Sequence, residues 1–226
     1  MHIIEIYKSV QGESTWTGLP CIFVRLAGCN LRCTWCDSEY TFSGGKKMSL
    51  DEVEAEVLKL APVKLVEITG GEPMLQEREL IPLMERLLQQ GFTLLMETSG
   101  ERPLANVPKA VHKIVDVKCP GSGEGESFHL PNLEALTKCD EIKFVIVDRP
   151  DYEFARDFTR QHTLEAKVNP VLFSPAFRKD AAPARDAGNC ALDPRELVEW
   201  MLQDGVNARL SLQMHKFVWE PLTKGV

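Results

Sequence analysis

The sequence has little that would send it to a membrane or to a polyanion. In 226 residues no apolar run approaches the roughly 20 residues of a membrane helix. The opening MHIIEIYKSVQGES has no signal-peptide plan. Positive charge is scarce: 26 Lys and Arg stand against 33 Asp and Glu, a net charge of −7. That leaves no basic surface for nucleic acid or anionic lipid, so neither is expected as a partner. Internal repeats, charge blocks and linkers are missing as well, which points to one domain over residues 1–226. Cysteine comes in an odd number, seven. An odd count argues against a disulfide framework and for reduced thiols in a cytoplasmic protein. The remainder, 44% apolar and 26% charged residues, is the balance of a globular protein with a proper core.

Four of the cysteines, Cys21, Cys119, Cys139 and Cys190, are scattered singly. Cys21, in PCIFVRLA, reads as a small core hydrophobe. The other three are clustered in AGCNLRCTWCDSEYTF, where Cys29, Cys33 and Cys36 are spaced C-x3-C-x2-C with Trp35 before the last. A structural zinc site takes four protein ligands, as does a fully protein-ligated iron–sulfur cluster. Three thiolates leave one metal position open for chemistry.

The hydrophobic periodicity alternates regularly. Strand patterns fall at 21–27, 64–69, 92–98, 112–118, 141–147, 166–173 and 208–214, and IIEIYKSV at the start is extended. Helical patterns lie between many of them. SLDEVEAEVLKL (49–60) opens with a Ser49/Glu52 capping box. Residues 78–90 stop at Gly91, a short helix is expected near 131–138, and 150–161 is helical. DPRELVEWMLQDG (193–205) has Asp193 as N-cap, Pro194 at the first helical position and Gly205 as stop. Strand followed by helix, repeated, means parallel strands with crossovers. The chain is short for a full eight-fold barrel of about 250 residues. The expectation is therefore an α/β fold, an incomplete (βα) TIM-like barrel of six or seven mostly parallel strands, with an open doubly wound sheet as the alternative. Residues 119–127 and 174–190 read as long functional loops.

The unusual residues follow the strands: the cysteine trio, then Gly70-Gly71-Glu72-Pro73, Glu97-Thr98-Ser99-Gly100, Lys118 with CPGSGEG, Ser174-Pro175, and Gln213 with His215 and Lys216. In a parallel barrel these positions share the rim at the carboxyl ends of the strands, where active sites are built. The trio itself has several readings. Zinc needs a fourth ligand, which Asp37, His112 or His215 would have to supply. A C-x2-C redox dithiol leaves Cys29 unexplained. A [4Fe–4S] cluster with one open iron uses all three cysteines, and soft thiolates select such clusters. The glycines of GGEP let backbone approach a ligand on that iron.

CNLRCTWCD followed by ITGGEP resembles the radical S-adenosylmethionine (radical SAM) enzymes. YKSVQGES, FVRLAGCNLRC, CDSEYTF, DVKCPGSGE and LSLQMHKF together resemble one family among them, the 7-carboxy-7-deazaguanine synthases, from about residue 5 to Pro221. That resemblance implies conversion of the small molecule 6-carboxy-5,6,7,8-tetrahydropterin to 7-carboxy-7-deazaguanine with loss of ammonia, in queuosine and deazapurine biosynthesis. It implies a [4Fe–4S] cluster, SAM, Mg2+, an electron donor such as flavodoxin or ferredoxin, and a homodimer. Carried over, Cys29, Cys33 and Cys36 hold the cluster and Ser38 is the Mg2+ ligand. Trp35, Cys36, Asp37, Gly71, Glu72, Asp116, Val117, Lys118 and the loop from Ser174 form the SAM site. Val10, Gln11, Gly12, Arg25, Thr69, His215 and Pro221 hold the pterin. The Arg25 guanidinium suits a pterin carboxylate; as a bare strand residue Arg25 would instead point to solvent.

Two features depart from the family pattern. The chain runs past Pro221 through LTKGV, and it keeps the compact spacing between the first two cysteines where some members carry an insertion. Two other functions stay open: an activase for a glycyl-radical protein, sharing the trio and GGEP, and a non-catalytic zinc or electron-transfer module.

Overall fold

The computed structural model describes residues 1–178, 187–220 and 223–225. The chain opens with β1 (His2–Val10) and β2 (Pro20–Leu26), an antiparallel pair in which Tyr7 faces Phe23. The two-residue β3 (Lys46–Lys47) pairs with the start of β1. Helix α1 (Leu50–Lys59) begins at the expected capping box, with Ser49 and Glu52 bonded both ways. Next come β4 (Leu65–Gly70), α2 (Glu77–Gln89), β5 (Thr93–Thr98), β6 (His112–Asp116) and β7 (Glu141–Ile146). Helices α3 (Arg149–Gln161) and α4 (Leu164–Lys167) precede β8 (Val171–Pro175). The last elements are α5 (Pro194–Asp204), β9 (Arg209–Leu210) and α6 (His215–Val218). Asp193 caps α5 through the Arg195 amide, and Gly205 ends it in the left-handed conformation.

Among the described residues these strands form one nine-stranded sheet in the order β3-β1-β2-β4-β5-β6-β7-β8-β9. Every pairing from β2 to β9 is parallel. The sheet ends on β3 and β9, which do not pair with each other, so the barrel is incomplete as expected. Strand alternation sorts the two faces. Ile22, Val24, Leu26, Val66, Ile68, Leu94, Met96, Ile142 and Phe144 point outward into the main core with α1, α2 and α3. Cys21, Phe23, Leu65, Leu95 and Ile114 point inward and form a smaller apolar cluster under Tyr7 and Trp16. Cys21 is the buried hydrophobe its context predicts.

Some expectations at element ends need correction. The strand expected over 166–173 begins only at Val171, because residues 164–167 are helical and Pro170 has no N–H for the ladder. The strand expected over 208–214 is Arg209–Leu210 alone. Beyond it the chain leaves the sheet edge: the Met214 amide donates to the Gly12 carbonyl at 2.8 Å, and residues 215–218 are helical. That segment packs against the hairpin connection after β1. The helix near 131–138 is a single 3-10 turn, Leu130–Glu134. Of the loop expected over 174–190, residues 179–186 lie outside the described residues, as does Pro221.

Candidate active site

A cleft of about 260 Å³ opens at the carboxyl ends of the parallel strands. Its rim is the cysteine loop. The turn after β4 presses against that loop so closely that a Cβ at Gly71 would lie 2.1 Å from the Gly28 carbonyl oxygen; only glycine fits there. The Glu72 amide donates to the same carbonyl at 2.8 Å. The Glu72 carboxylate is fully buried and accepts from the Met74 amide, Thr98 Oγ1, the Ser99 amide and Ser99 Oγ, at 2.7 to 3.0 Å. It bolts the turn after β4 to the end of β5 and does not itself line the cleft.

Cys29, Cys33 and Cys36 line the cleft as free, half-buried thiols, and a turn from the Cys36 amide to the Cys33 carbonyl holds the loop. Among the described residues no three His, Cys, Asp or Glu side chains are gathered to grip a single ion. Burial pushes the Cys33 thiol up to about 11, with Lys118 pulling the other way and Asp116, Cys36 and Cys29 adding to the rise. Three thiolates facing one space therefore call for a cationic group between them, and an iron–sulfur cluster is one. Beside them Lys118 Nζ bonds Asp116 Oδ2 at 2.7 Å, while Asp116 Oδ1 is buried with no partner. An orphaned buried acceptor in a cleft fits a ligand that brings a hydroxyl or amine, as SAM does.

The loop continues through Asp37, tied by Oδ2 to Lys216 Nζ at 2.6 Å. The surrounding chain alone would raise the Asp37 carboxyl; Lys216 outweighs that and holds it well below the usual carboxylate range. Ser38 lines the cleft, and its Oγ donates to Asp37 Oδ1 at 3.0 Å, so its proton is used and its lone pairs remain to accept or coordinate.

Below the rim the cleft is walled by inward strand positions. Arg25 points in, not out: Nε bonds Glu5 Oε1 at 2.8 Å and Nη2 donates to Tyr7 Oη at 2.8 Å. Tyr40 donates to the same Glu5 oxygen. Thr69 is level with Arg25 on the neighbouring strand. One inward step deeper on β4 is Glu67, and Glu97 and Lys143 enter the cleft from β5 and β7. Lys143, 3% exposed, bonds Glu13 Oε2 at 2.6 Å, contacts Glu97 closely and lies 3.9 Å from Asp116 Oδ2. Glu13 and Gln11 enter from the hairpin connection at the opposite end of the strands. Gln213 Nε2 donates to Glu13 Oε1 at 2.8 Å. Burial would raise the Glu13 carboxyl, but Lys143, His215 and Gln213 bring it down to about 2. His215 lies against Gly12, where a Cβ would meet its Nδ1 at 2.2 Å. Burial lowers the His215 imidazole and favours its neutral form.

The structure thus brings Cys29, Cys33, Trp35, Cys36, Asp37, Ser38, Gly71, Asp116 and Lys118 together with Val10, Gln11, Gly12, Arg25, Thr69 and His215 around one cleft. Val117 and Ser174 stay behind its wall with Glu72; Ala176 and Phe177, from the loop after Ser174, reach it. Thr223, Lys224 and Gly225, from the segment past Pro221, also line it. Sequence reasoning missed Tyr7, Glu13, Tyr40, Glu67 and Lys143. A signal existed for two of them. Glu67 in LVEITG is a lone charge inside an apolar strand, Lys143 in EIKFVI is a charge between two apolar residues, and a charge at an inward position needs a reason.

A profile of the Radical SAM superfamily matches residues 24–120. The 7-carboxy-7-deazaguanine synthase of Koribacter versatilis is 70% identical over 226 residues, covering all of both chains. That of Chlorobaculum tepidum is 38% identical over 230 residues, covering 100% of this chain and 97% of its own. The crystal structure of QueE from Escherichia coli superimposes with a TM-score of 0.74 at 25% identity, over 95% of this chain and 94% of that one. A radical SAM methyltransferase from Sphaerobacter thermophilus shares the fold, with a TM-score of 0.57 at 16% identity over 88% and 68% of the two chains. Full-length identity of this order, together with three thiols on the rim of a polar barrel cleft, identifies the lineage: the chain belongs to the 7-carboxy-7-deazaguanine synthase family of the radical SAM superfamily.

Proposed function

We propose that the protein converts 6-carboxy-5,6,7,8-tetrahydropterin to 7-carboxy-7-deazaguanine with release of ammonia, as a single-domain cytoplasmic homodimer reduced by a flavodoxin or ferredoxin. The observation that carries this reading is the 70% identity over the full length of both chains to an enzyme named for that product. The superfamily implies a [4Fe–4S] cluster and SAM. Among the described residues no helix is long and apolar enough to cross a membrane.

When bound, the cluster supplies one electron to the sulfonium of SAM, while the protein binds and orients the reactants around it. Cys29, Cys33 and Cys36 would hold the cluster, and Gly71 and the Asp116–Lys118 pair would receive SAM. Arg25 offers a cation to the pterin carboxylate, with Nη1 free of protein hydrogen bonds among the described residues while Glu5 and Tyr7 set its orientation. Ser38, with its proton directed to Asp37, presents lone pairs to Mg2+. Thr223 to Gly225 line the mouth and help exclude water.

The test is anaerobic turnover of reconstituted protein with SAM, Mg2+ and reductant, with and without the pterin. Pterin-dependent 7-carboxy-7-deazaguanine is expected by mass spectrometry. Release of 5′-deoxyadenosine with the pterin intact would overturn the substrate assignment, and an intact cluster that yields neither would overturn the activity.

A further inference from the structure

The floor of the cleft holds more carboxylates than cations. Glu13, Glu67 and Glu97 all line it. Lys143 bonds Glu13 and Glu97 and has no hydrogen bond to Glu67. Lys118, the next cation, is engaged by Asp116 at 2.7 Å. The neighbour of Glu67 is an uncharged amide: Gln11 Nε2 donates to its Oε2 at 2.9 Å. That amide is oriented, because the Glu13 backbone N–H donates to Gln11 Oε1 at 2.7 Å. Gln11 therefore shows Glu67 a donor, so Oε2 is the accepting oxygen. Oε1 takes no hydrogen bond among the described residues, and Glu67 is only 2% exposed. A third buried negative charge beside two that share one lysine is costly, and a proton on Oε1 removes it.

We propose that Glu67 is a further substrate-binding residue, holding a proton on Oε1 and donating it as a hydrogen bond to a neutral acceptor of the bound heterocycle, a ring carbonyl or ring nitrogen. The choice of ligand rests on the pterin reading; the proton does not. Depth supports the fit. Arg25 pairs with Thr69, and Glu67 is one inward step below, about 7 Å at strand rise. A flat bicycle anchored by its carboxylate at Arg25 would bring its far ring to the level of Glu67.

The groups facing Glu67 are Tyr7 from β1, Glu13 from the hairpin connection, Cys21 from β2, Glu97 from β5 and Lys143 from β7. Tyr7 and Cys21 are raised by burial and stay neutral. Burial first, then Glu97 and Glu13, push Glu67 up to about 8, against Gln11 and Lys143. Glu67 keeps its proton below about 8, so the hydrogen bond is present there and lost as pH rises through it. Between the ordinary carboxylate range and that value the folded state holds a proton the unfolded chain does not, so stability falls as pH rises across the window.

Two measurements decide it, with Glu67→Gln as the isosteric control. In protein labelled at the glutamate carboxyl carbon, one resonance should titrate near 8 and be missing from E67Q. Burial raises Glu97 as well, so the loss in E67Q decides: if no resonance above the ordinary range disappears in E67Q, the proton on Glu67 is refuted without any substrate being needed. In turnover, the wild-type KM should rise about tenfold per pH unit above that pKa while E67Q stays flat. Glu67→Ala should raise KM about tenfold to a hundredfold at all pH values. An E67Q profile that still turns up with the wild type, or an E67A enzyme with wild-type KM, overturns the binding role. If neither wild type nor E67Q accepts the pterin, the pterin reading and the ligand assigned to Glu67 fail together, and the titration still decides the proton.

Discussion

On β4, Val66 and Ile68 point outward into a core of Leu, Val, Ile and Met, while Leu65, Glu67 and Thr69 point inward, the last two to the cleft. The same contrast holds on β7, where Ile142 and Phe144 are outward and Lys143 inward. Both faces are buried, and they are buried by different physics. The outer face is held by apolar area removed from water, which tolerates volume-conserving exchange. The inner face is a network of charges, Glu13, Glu97 and Asp116 around Lys143, in which removal of the lysine strands the carboxylates. Both faces thus carry stability, while the chemistry is confined to the inner one.

The contrast can be broken most severely at the rim. Cys33→Ala should abolish turnover and lower bound iron while leaving the apoprotein's melting temperature nearly unchanged. Iron analysis beside a thermal scan checks both halves. Next comes Lys143→Met, which leaves Glu13 and Glu97 buried without a cation and should cost about 3–5 kcal/mol by denaturant titration at neutral pH. Glu13 is brought down to about 2 by Lys143, so the wild type keeps that stabilisation above the ordinary carboxylate range and loses it as pH falls through 2. The K143M deficit should therefore shrink on acidification. On the outer face, Leu83→Ala should cost about 2–5 kcal/mol and leave kcat/KM unchanged wherever the protein remains folded. A Leu83 variant that loses activity while fully folded would contradict the division of labour. The mildest change is Ser38→Ala, for which the Mg2+ needed for half-maximal rate should rise about tenfold, with no change in melting temperature.

The sequence shows the alternation of strands and helices, and with it the parallel partial barrel, because each crossover helix carries its own caps: Ser49 with Glu52, and Asp193 with Gly205. It also shows the rim, since Cys29, Cys33, Cys36 and Gly71 are consecutive motifs on consecutive strand ends. The floor is less legible. Glu13 and Lys143 are 130 residues apart and meet only because the hairpin connection after β1 turns in under the sheet. Gln213 and Glu13 are 200 residues apart and meet because β9 is too short to hold the chain at the sheet edge. Such contacts are set by closure of the barrel gap, and no local pattern encodes that. Glu72 shows the converse. Its motif is plain, yet its carboxylate is occupied by four donors that tie the Gly71 turn to the end of β5.

The most direct test is a structure of the reconstituted protein with SAM and 6-carboxy-5,6,7,8-tetrahydropterin. The pterin carboxylate should lie against Arg25 and its heterocycle should reach down to Gln11, Glu13 and Glu67. A pterin held only at the rim, with the floor left to water, would contradict the inner face as the seat of recognition.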